Sequence, residues 1–258
     1  MSSNFSSFHA LHHTGNLFLL PNAWDARSAA LFEQQQFPAV ATSSAAVATS
    51  LGYADGEGMP FDDYYFVIRR ILSTVKIPLS VDLEMGYGNT PQAISDRVLQ
   101  LWEAGVAGIN IEDSRIEDGT RVLGDAIAFA DTLAFIKRNL AAKQARLFIN
   151  VRCDTYLLNV ADKQAATQQR LGLYEAAGAD GIFLPCITDT ADIAAAVAGT
   201  RLPVNVMCVP GLPDFSRLQE LGVKRVSMGP FLFNNVYDRI GALATNIQTT
   251  QSFAPVFP

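Results

Sequence analysis

The chain is short of positive charge. Its 19 Lys and Arg face 25 Asp and Glu, which leaves a formal net charge of −6 and a pI near 5.0. Neither nucleic acid nor an anionic membrane is attracted to such a surface, so the expected partner is a small molecule. Cysteine is also scarce. Cys153, Cys186 and Cys208 are odd in number and widely spaced, which fits reduced core thiols and excludes a disulfide framework. His9, His12 and His13 all precede the first apolar run and no cysteine lies near the acids in the pattern, so zinc is disfavoured. The start, "MSSNFSSFHALHHTG", lacks a cationic lead followed by a long apolar stretch, and no later segment is long and apolar enough to span a bilayer. A cytoplasmic protein is the expectation. Low-complexity tracts and Gly/Ser/Pro linkers are absent as well.

What is present is a repeating alternation. Short runs rich in Val, Ile and Leu occupy 17–21, 39–43, 78–84, 108–113, 147–154, 181–186, 203–208 and 225–229, with helical periodicity between them. Near-continuous apolar strands joined by helices make a parallel sheet covered on both faces, and eight such units in 258 residues predict one (β/α)₈ TIM-type barrel over 1–258. A six-strand doubly wound sheet would leave two strands unused. The punctuation agrees: Gly105, Gly178 and Gly222 stand where helices must stop. Asp25, Thr90 before Pro91, and Asp162 stand where helices begin.

Barrel chemistry sits at the C-terminal ends of the strands, and there the polar residues cluster. Ser43 and Ser44 end the second strand, Asp82 and Glu84 the third, Glu112 and Asp113 the fourth, and Asn150, Arg152 and Asp154 the fifth. Period-two alternation puts Asp82 and Glu84 on one face. Converging carboxylates in a partly dry mouth repel unless a cation compensates, and an oxygen-only set suits Mg²⁺, with Mn²⁺ as the alternative. For Asp113 and Asp154, a structural ion pair or helix cap competes evenly with a functional role. Lys76, Lys137, Lys143, Lys163 and Lys224 lie away from strand C-termini, which disfavours a Schiff-base aldolase. No convincing phosphate cradle follows the last two strands.

Taken together, "VDLEMGYGN", "AGVAGINIEDS", "NVRCDTYL", "AGADGIFLP" and "NVMCVPG" resemble the isocitrate lyase/phosphoenolpyruvate mutase superfamily over nearly the whole chain. The resemblance implies a (β/α)₈ barrel, usually a homotetramer, often with the eighth helix exchanged between neighbours. It also implies Mg²⁺ and chemistry next to an α-keto acid or its enolate. By motif, Asp82, Glu84 and Glu112 match the metal-site acids, although a second Asp is usual where Glu84 stands. Asp55 matches an acid that reaches the metal through water. Ser43, with Ser44 after it, matches the group that grips the substrate carboxylate. Arg152 matches the arginine facing the substrate, Trp24 an aromatic over the keto acid, and Asn205 of "NVMCVPG" joins the substrate-binding set.

The departure is the lid, "SRIEDGTRVLGD" (114–125), which has no Cys, His or Lys. Isocitrate and methylisocitrate lyases carry their acid/base cysteine there, so those activities are not expected. Thr120, with Arg121 beside it, is the lid residue expected near substrate; Arg152 and Glu112 complete the catalytic set. Tyr53, Tyr87, Thr120 and water remain open as proton donor. The expected function is a Mg²⁺-dependent lyase for a small 2-oxo or 2-hydroxy carboxylate, by C–C cleavage or decarboxylation through an enolate. C–P chemistry, as in phosphoenolpyruvate mutase or phosphonopyruvate hydrolase, and a non-catalytic keto-acid-binding barrel are the alternatives. Only Arg115 and Arg121 on the lid could meet a phosphoryl group.

Overall fold

The computed structural model describes residues 2–257. Its first strand is split by a proline. β1 (Phe18–Leu20) and β2 (Asn22–Ala23) flank Pro21, which has no N–H to give to a ladder. This stretch closes the barrel, because β1 pairs with the last strand, β11 (Arg225–Ser227), and β2 with β3 (Val40–Thr42). Between them run β4 (Leu79–Asp82), β5 (Gly108–Glu112), β8 (Phe148–Arg152), β9 (Gly181–Leu184) and β10 (Val204–Met207), all parallel, in the order β1-β11-β10-β9-β8-β5-β4-β3-β2. Nine short strands thus form eight barrel positions, as the eight apolar runs predicted. The remaining two, β6 (Ser114–Glu117) and β7 (Thr120–Leu123), form a separate antiparallel hairpin.

Helices alternate with the strands: α2 (Ala26–Gln34), α3 (Ser44–Ser50), α4 (Phe61–Leu72), α5 (Pro91–Ala104), α6 (Ala126–Ala142), α7 (Lys163–Ala176), α8 (Thr190–Ala198), α9 (Phe215–Glu220) and α10 (Phe231–Thr250). Asp25 and Thr90 cap α2 and α5 through their side chains, as expected. Asp162 does not: it precedes α7 in the left-handed region, φ +47°, with no side-chain cap. The stop at Gly105 has φ +100°, where a side chain would be strained.

An N-terminal helix that the strand pattern did not reveal, α1 (Ser2–His13), closes the far end of the barrel. Its His12 ring stacks on Phe148 at 4.1 Å, and Phe8 meets the same ring edge-on at 5.5 Å. Above them Arg225 is fully buried, held by Asn110 Oδ1 at 3.0 Å. Burial pulls its pKa down to about 9, so it stays charged at neutral pH. α10 is the outlier among the helices. Along 20 residues only Phe233 is buried, while Leu232, Val236, Tyr237 and Ile240 are exposed.

Candidate active site

The C-terminal ends of the strands enclose a cavity of about 400 Å³. One side is polar and charged, with Ser43, Ser44, Asp55, Asp82, Glu84, Asn110, Arg121 and Arg152. The other side is mostly apolar, built from Leu157, Phe183, Pro185, Met207 and Pro230, with Ser227 and Asn22 as its uncharged polar members.

Asp82 ends β4, and its backbone is clamped on both sides. Its N–H donates to Thr42 Oγ1 at 3.0 Å, and Tyr64 Oη donates to its carbonyl at 2.9 Å. The Ser44 hydroxyl donates to Oδ2 at 2.8 Å, while Oδ1 has no donor among the described residues. Burial raises the Asp82 pKa, against the opposing pull of Arg152 and Ser44.

Glu84 reaches the cavity by a different route from the one expected. β4 stops at Asp82, and Glu84 lies in the following turn at φ +52°, so strand alternation does not place it. Its Oε2 accepts from the Glu57 N–H at 2.7 Å and its Oε1 from Tyr87 Oη at 3.1 Å. Desolvation, reinforced by the charges of Asp82 and Asp55, pushes its pKa up to about 7. Gly86 makes this turn possible: its φ is +110°, and an added Cβ would lie 2.6 Å from Ile94.

Glu112, at the end of β5, is buried among cations. Arg152 Nη1 lies 2.8 Å from Oε2, and Arg121 Nη1 touches Oε1. The Arg152 contact attracts by charge but is off the line of a hydrogen bond, so Oε2 is a buried acceptor without a donor. Arg152 spends its directional bonds on Asp154, at 2.6 and 3.1 Å. Asp154 is therefore structural. So is Asp113, which accepts from Arg170 Nη1 at 2.8 Å and Tyr174 Oη at 2.7 Å.

The segment expected as a lid is the β6–β7 hairpin, turned by Asp118 and Gly119 at φ +48° and +74°. Its base is tied down, because Arg170 Nη2 donates to Gly124 O at 2.7 Å and Gly124 N to Asp113 O at 2.8 Å. Arg121 points from it into the cavity, donates to Ser114 Oγ at 2.8 Å, and comes within 3.8 Å of both Asp55 and Asp154. Arg115 instead pairs with Glu117 on the exposed face.

Of the residues singled out in the sequence, Asp55, Asp82, Glu84, Ser43, Ser44 and Arg152 line the cavity, and Glu112 lies buried behind its two arginines. Three others are elsewhere. Thr120 is exposed in the hairpin opposite Glu117. Trp24 packs edge-on against Phe233 at 5.4 Å and is not in the cavity wall. Asn205 is fully buried in the barrel, donating to Asn150 Oδ1. Sequence reasoning missed Asn22 in the cavity wall, whose Oδ1 accepts from the N–H groups of Met228 and Gly229, both at 2.9 Å. It follows Pro21 at the end of the first apolar run, so the rule used for the other strands would have found it.

The oxygen donors fit a hard divalent cation. Asp82 lines the cavity with its Oδ1 free of protein donors, Glu112 Oε2 is an orphaned acceptor, and Mg²⁺ commonly takes one or two carboxylates and completes its shell with water and substrate. Among the described residues, no three His, Cys, Asp or Glu are gathered into a ready cage.

The sequence profile of the phosphoenolpyruvate phosphomutase family matches residues 8–248. An uncharacterized protein of Mycobacterium tuberculosis is 40% identical over 223 residues, 86% of this chain and 81% of its own length. The oxaloacetate decarboxylase of Ectopseudomonas mendocina is 30% identical over 232 residues, covering 87% of this chain and 77% of the enzyme. A crystallised protein of Burkholderia cenocepacia superposes with a TM-score of 0.88 at 35% identity, over 94% of this chain and 99% of that one.

Proposed function

The chain belongs to the phosphoenolpyruvate phosphomutase family, within the isocitrate lyase superfamily, and from that premise we propose a divalent-metal-dependent lyase that decarboxylates a small 2-oxo dicarboxylate of the oxaloacetate type. The observation that carries the reading is the division of the cavity. Carboxylates and arginines hold one side, and the facing wall of Leu157, Phe183, Pro185, Met207 and Pro230 contains no titratable group.

Loss of CO₂ from a 2-oxo dicarboxylate needs no general base. The electron pair of the breaking C–C bond moves into the keto group, giving an enolate that a proton later quenches. A divalent cation held at Asp82 would supply Lewis-acid stabilisation of the charge growing on the keto oxygen. Arg152 attracts the retained carboxylate and adds positive potential at the enolate end. Ser44 fixes the Asp82 carboxylate, while Thr42 and Tyr64 fix its backbone. The apolar wall strips water from the departing carboxylate, whose charge disperses as it becomes neutral CO₂. A hairpin without Cys, His or Lys suits this reaction and ill suits a retro-aldol cleavage that needs a base. C–P chemistry is less well served, because the hairpin offers a phosphoryl group only Arg121, which is engaged by Glu112, and Arg115, which pairs with Glu117 on the exposed face.

A second copy of the chain is the partner that best suits the bare apolar face of α10, by exchange of that helix. Mass photometry of the purified protein tests this, with a dimer or tetramer as the expected species.

The deciding experiment is pyruvate formation from oxaloacetate with Mg²⁺ or Mn²⁺, measured above the metal-only blank, alongside thermal stabilisation by oxalate. Metal-dependent turnover with an oxalate shift is expected. Neither effect, with oxaloacetate or its alkyl-substituted forms, would remove the reading.

A further inference from the structure

The lid arginine occupies an unusual position. Besides the structural Asp154, which also lies within 3.8 Å of Arg121, four acids converge on the cavity mouth region, and Arg121 reaches two of them: it touches Glu112 Oε1 and comes within 3.8 Å of Asp55. A third, Glu84, spends both oxygens on Glu57 N–H and Tyr87 Oη. Asp82, in the cavity wall, keeps one carboxylate oxygen without a protein donor, and Asp55, half exposed, has no partner closer than Arg121. Arg121 is mostly buried, with 17% of its side chain exposed, and the hairpin carrying it is seated on the Asp55 loop, where a Cβ on Gly56 would lie 3.3 Å from Ile116.

We infer that Arg121 is a tethered counter-cation that holds the β6–β7 hairpin against the acids and competes with a divalent cation for them, so that metal affinity and lid position are coupled. The physical basis is a shared charge. A guanidinium on Glu112 and Asp55 neutralises the carboxylates that would draw a divalent ion towards Asp82, and two cations within a few ångströms repel in a partly dry site. Whatever strengthens one contact weakens the other, as reciprocal linkage requires. The inference rests on the metal reading above and names the residue that sets the metal's affinity.

The test uses Mn²⁺ binding, followed by electron paramagnetic resonance of the free ion, and trypsin cleavage after the exposed Arg115 in the hairpin. In Arg121→Gln, Mn²⁺ should bind at least about fivefold more tightly, and cleavage at Arg115 should be faster than in the wild type even without metal. In the wild type, saturating Mn²⁺ should speed that cleavage. Arg121→Lys keeps the charge and should bind Mn²⁺ nearly as the wild type does. Equal or weaker Mn²⁺ binding by Arg121→Gln, or slower cleavage of the wild type with Mn²⁺, overturns the inference. Asp82→Asn separates the two claims: if it binds Mn²⁺ as well as the wild type, the metal assignment is wrong. If it loses Mn²⁺ while Arg121→Gln shows no gain, only the competition is wrong. Absence of binding in both wild type and Arg121→Gln overturns both.

Discussion

The two sides of the cavity are built on opposite principles. On the β3–β5 side, carboxylates are buried at a cost and then compensated: Glu112 by Arg121 and Arg152, Asp82 by Ser44, Glu84 by a backbone N–H and Tyr87. On the β9–β11 side no charged residue lines the cavity, Ser227 is uncharged, and Phe183, Pro185 and Met207 present only apolar surface. The difference separates two tasks. Charge that grows during a reaction needs oriented dipoles and cations, whereas charge that disappears is helped by removing water.

Removing the key acid should break this contrast most severely. Asp82→Ala is expected to lower turnover roughly 1000-fold, about 4 kcal/mol in the barrier, and to abolish metal-dependent thermal stabilisation by oxalate while the fold persists. Retained stabilisation would mean that the acid side does not bind metal. Next in size is Arg152→Met, which removes the two hydrogen bonds to Asp154 and the charge beside Glu112 Oε2 and leaves both acids only Arg121 as a cation. Loss of one partner from a buried ion pair should cost about 3 kcal/mol in chemical denaturation.

The pH dependence of Glu84 sharpens the comparison further. Its folded pKa of about 7 lies above the ordinary 4.5, so the folded protein keeps a proton that the unfolded chain releases. Stability therefore falls as pH rises from 4.5 through 7. Without divalent metal, Glu84→Gln should flatten this slope and gain about 2 kcal/mol at pH 8. The smallest effect belongs to the apolar side. Met207→Gln puts a hydrogen-bond donor beside the departing carboxylate and should lower kcat about tenfold, near 1.4 kcal/mol, with Mn²⁺ affinity unchanged. A loss of Mn²⁺ affinity there would show that the two sides are not independent.

The strands were legible because each apolar run is buried on both faces, as in β5 and β9, so burial itself writes the pattern. The acids were legible for the same reason: a charge at the end of a buried strand stands out. The hairpin was overlooked although Asp118-Gly119 is a strong two-residue turn signal, because its short flanking strands are largely exposed and carry no apolar alternation. Thr120 and Arg121 are adjacent in sequence and both polar. Only the cross-strand register, with Arg121 opposite Ile116 and Thr120 opposite Glu117, sends one side chain into the cavity and leaves the other outside. Glu84 was assigned to the cavity for a reason that does not hold, since a left-handed turn and not strand alternation carries it there.

By itself the sequence determined the barrel, its strand order and the mouth to which its acids go, because hydrophobic period and glycine punctuation are local properties that the fold amplifies. The tertiary structure decided which carboxylate stays open to the cavity, which ones are paired by Arg121, Arg152 and Arg170, and which wall is dry. Those outcomes depend on distances between residues tens of positions apart, and no local pattern encodes them.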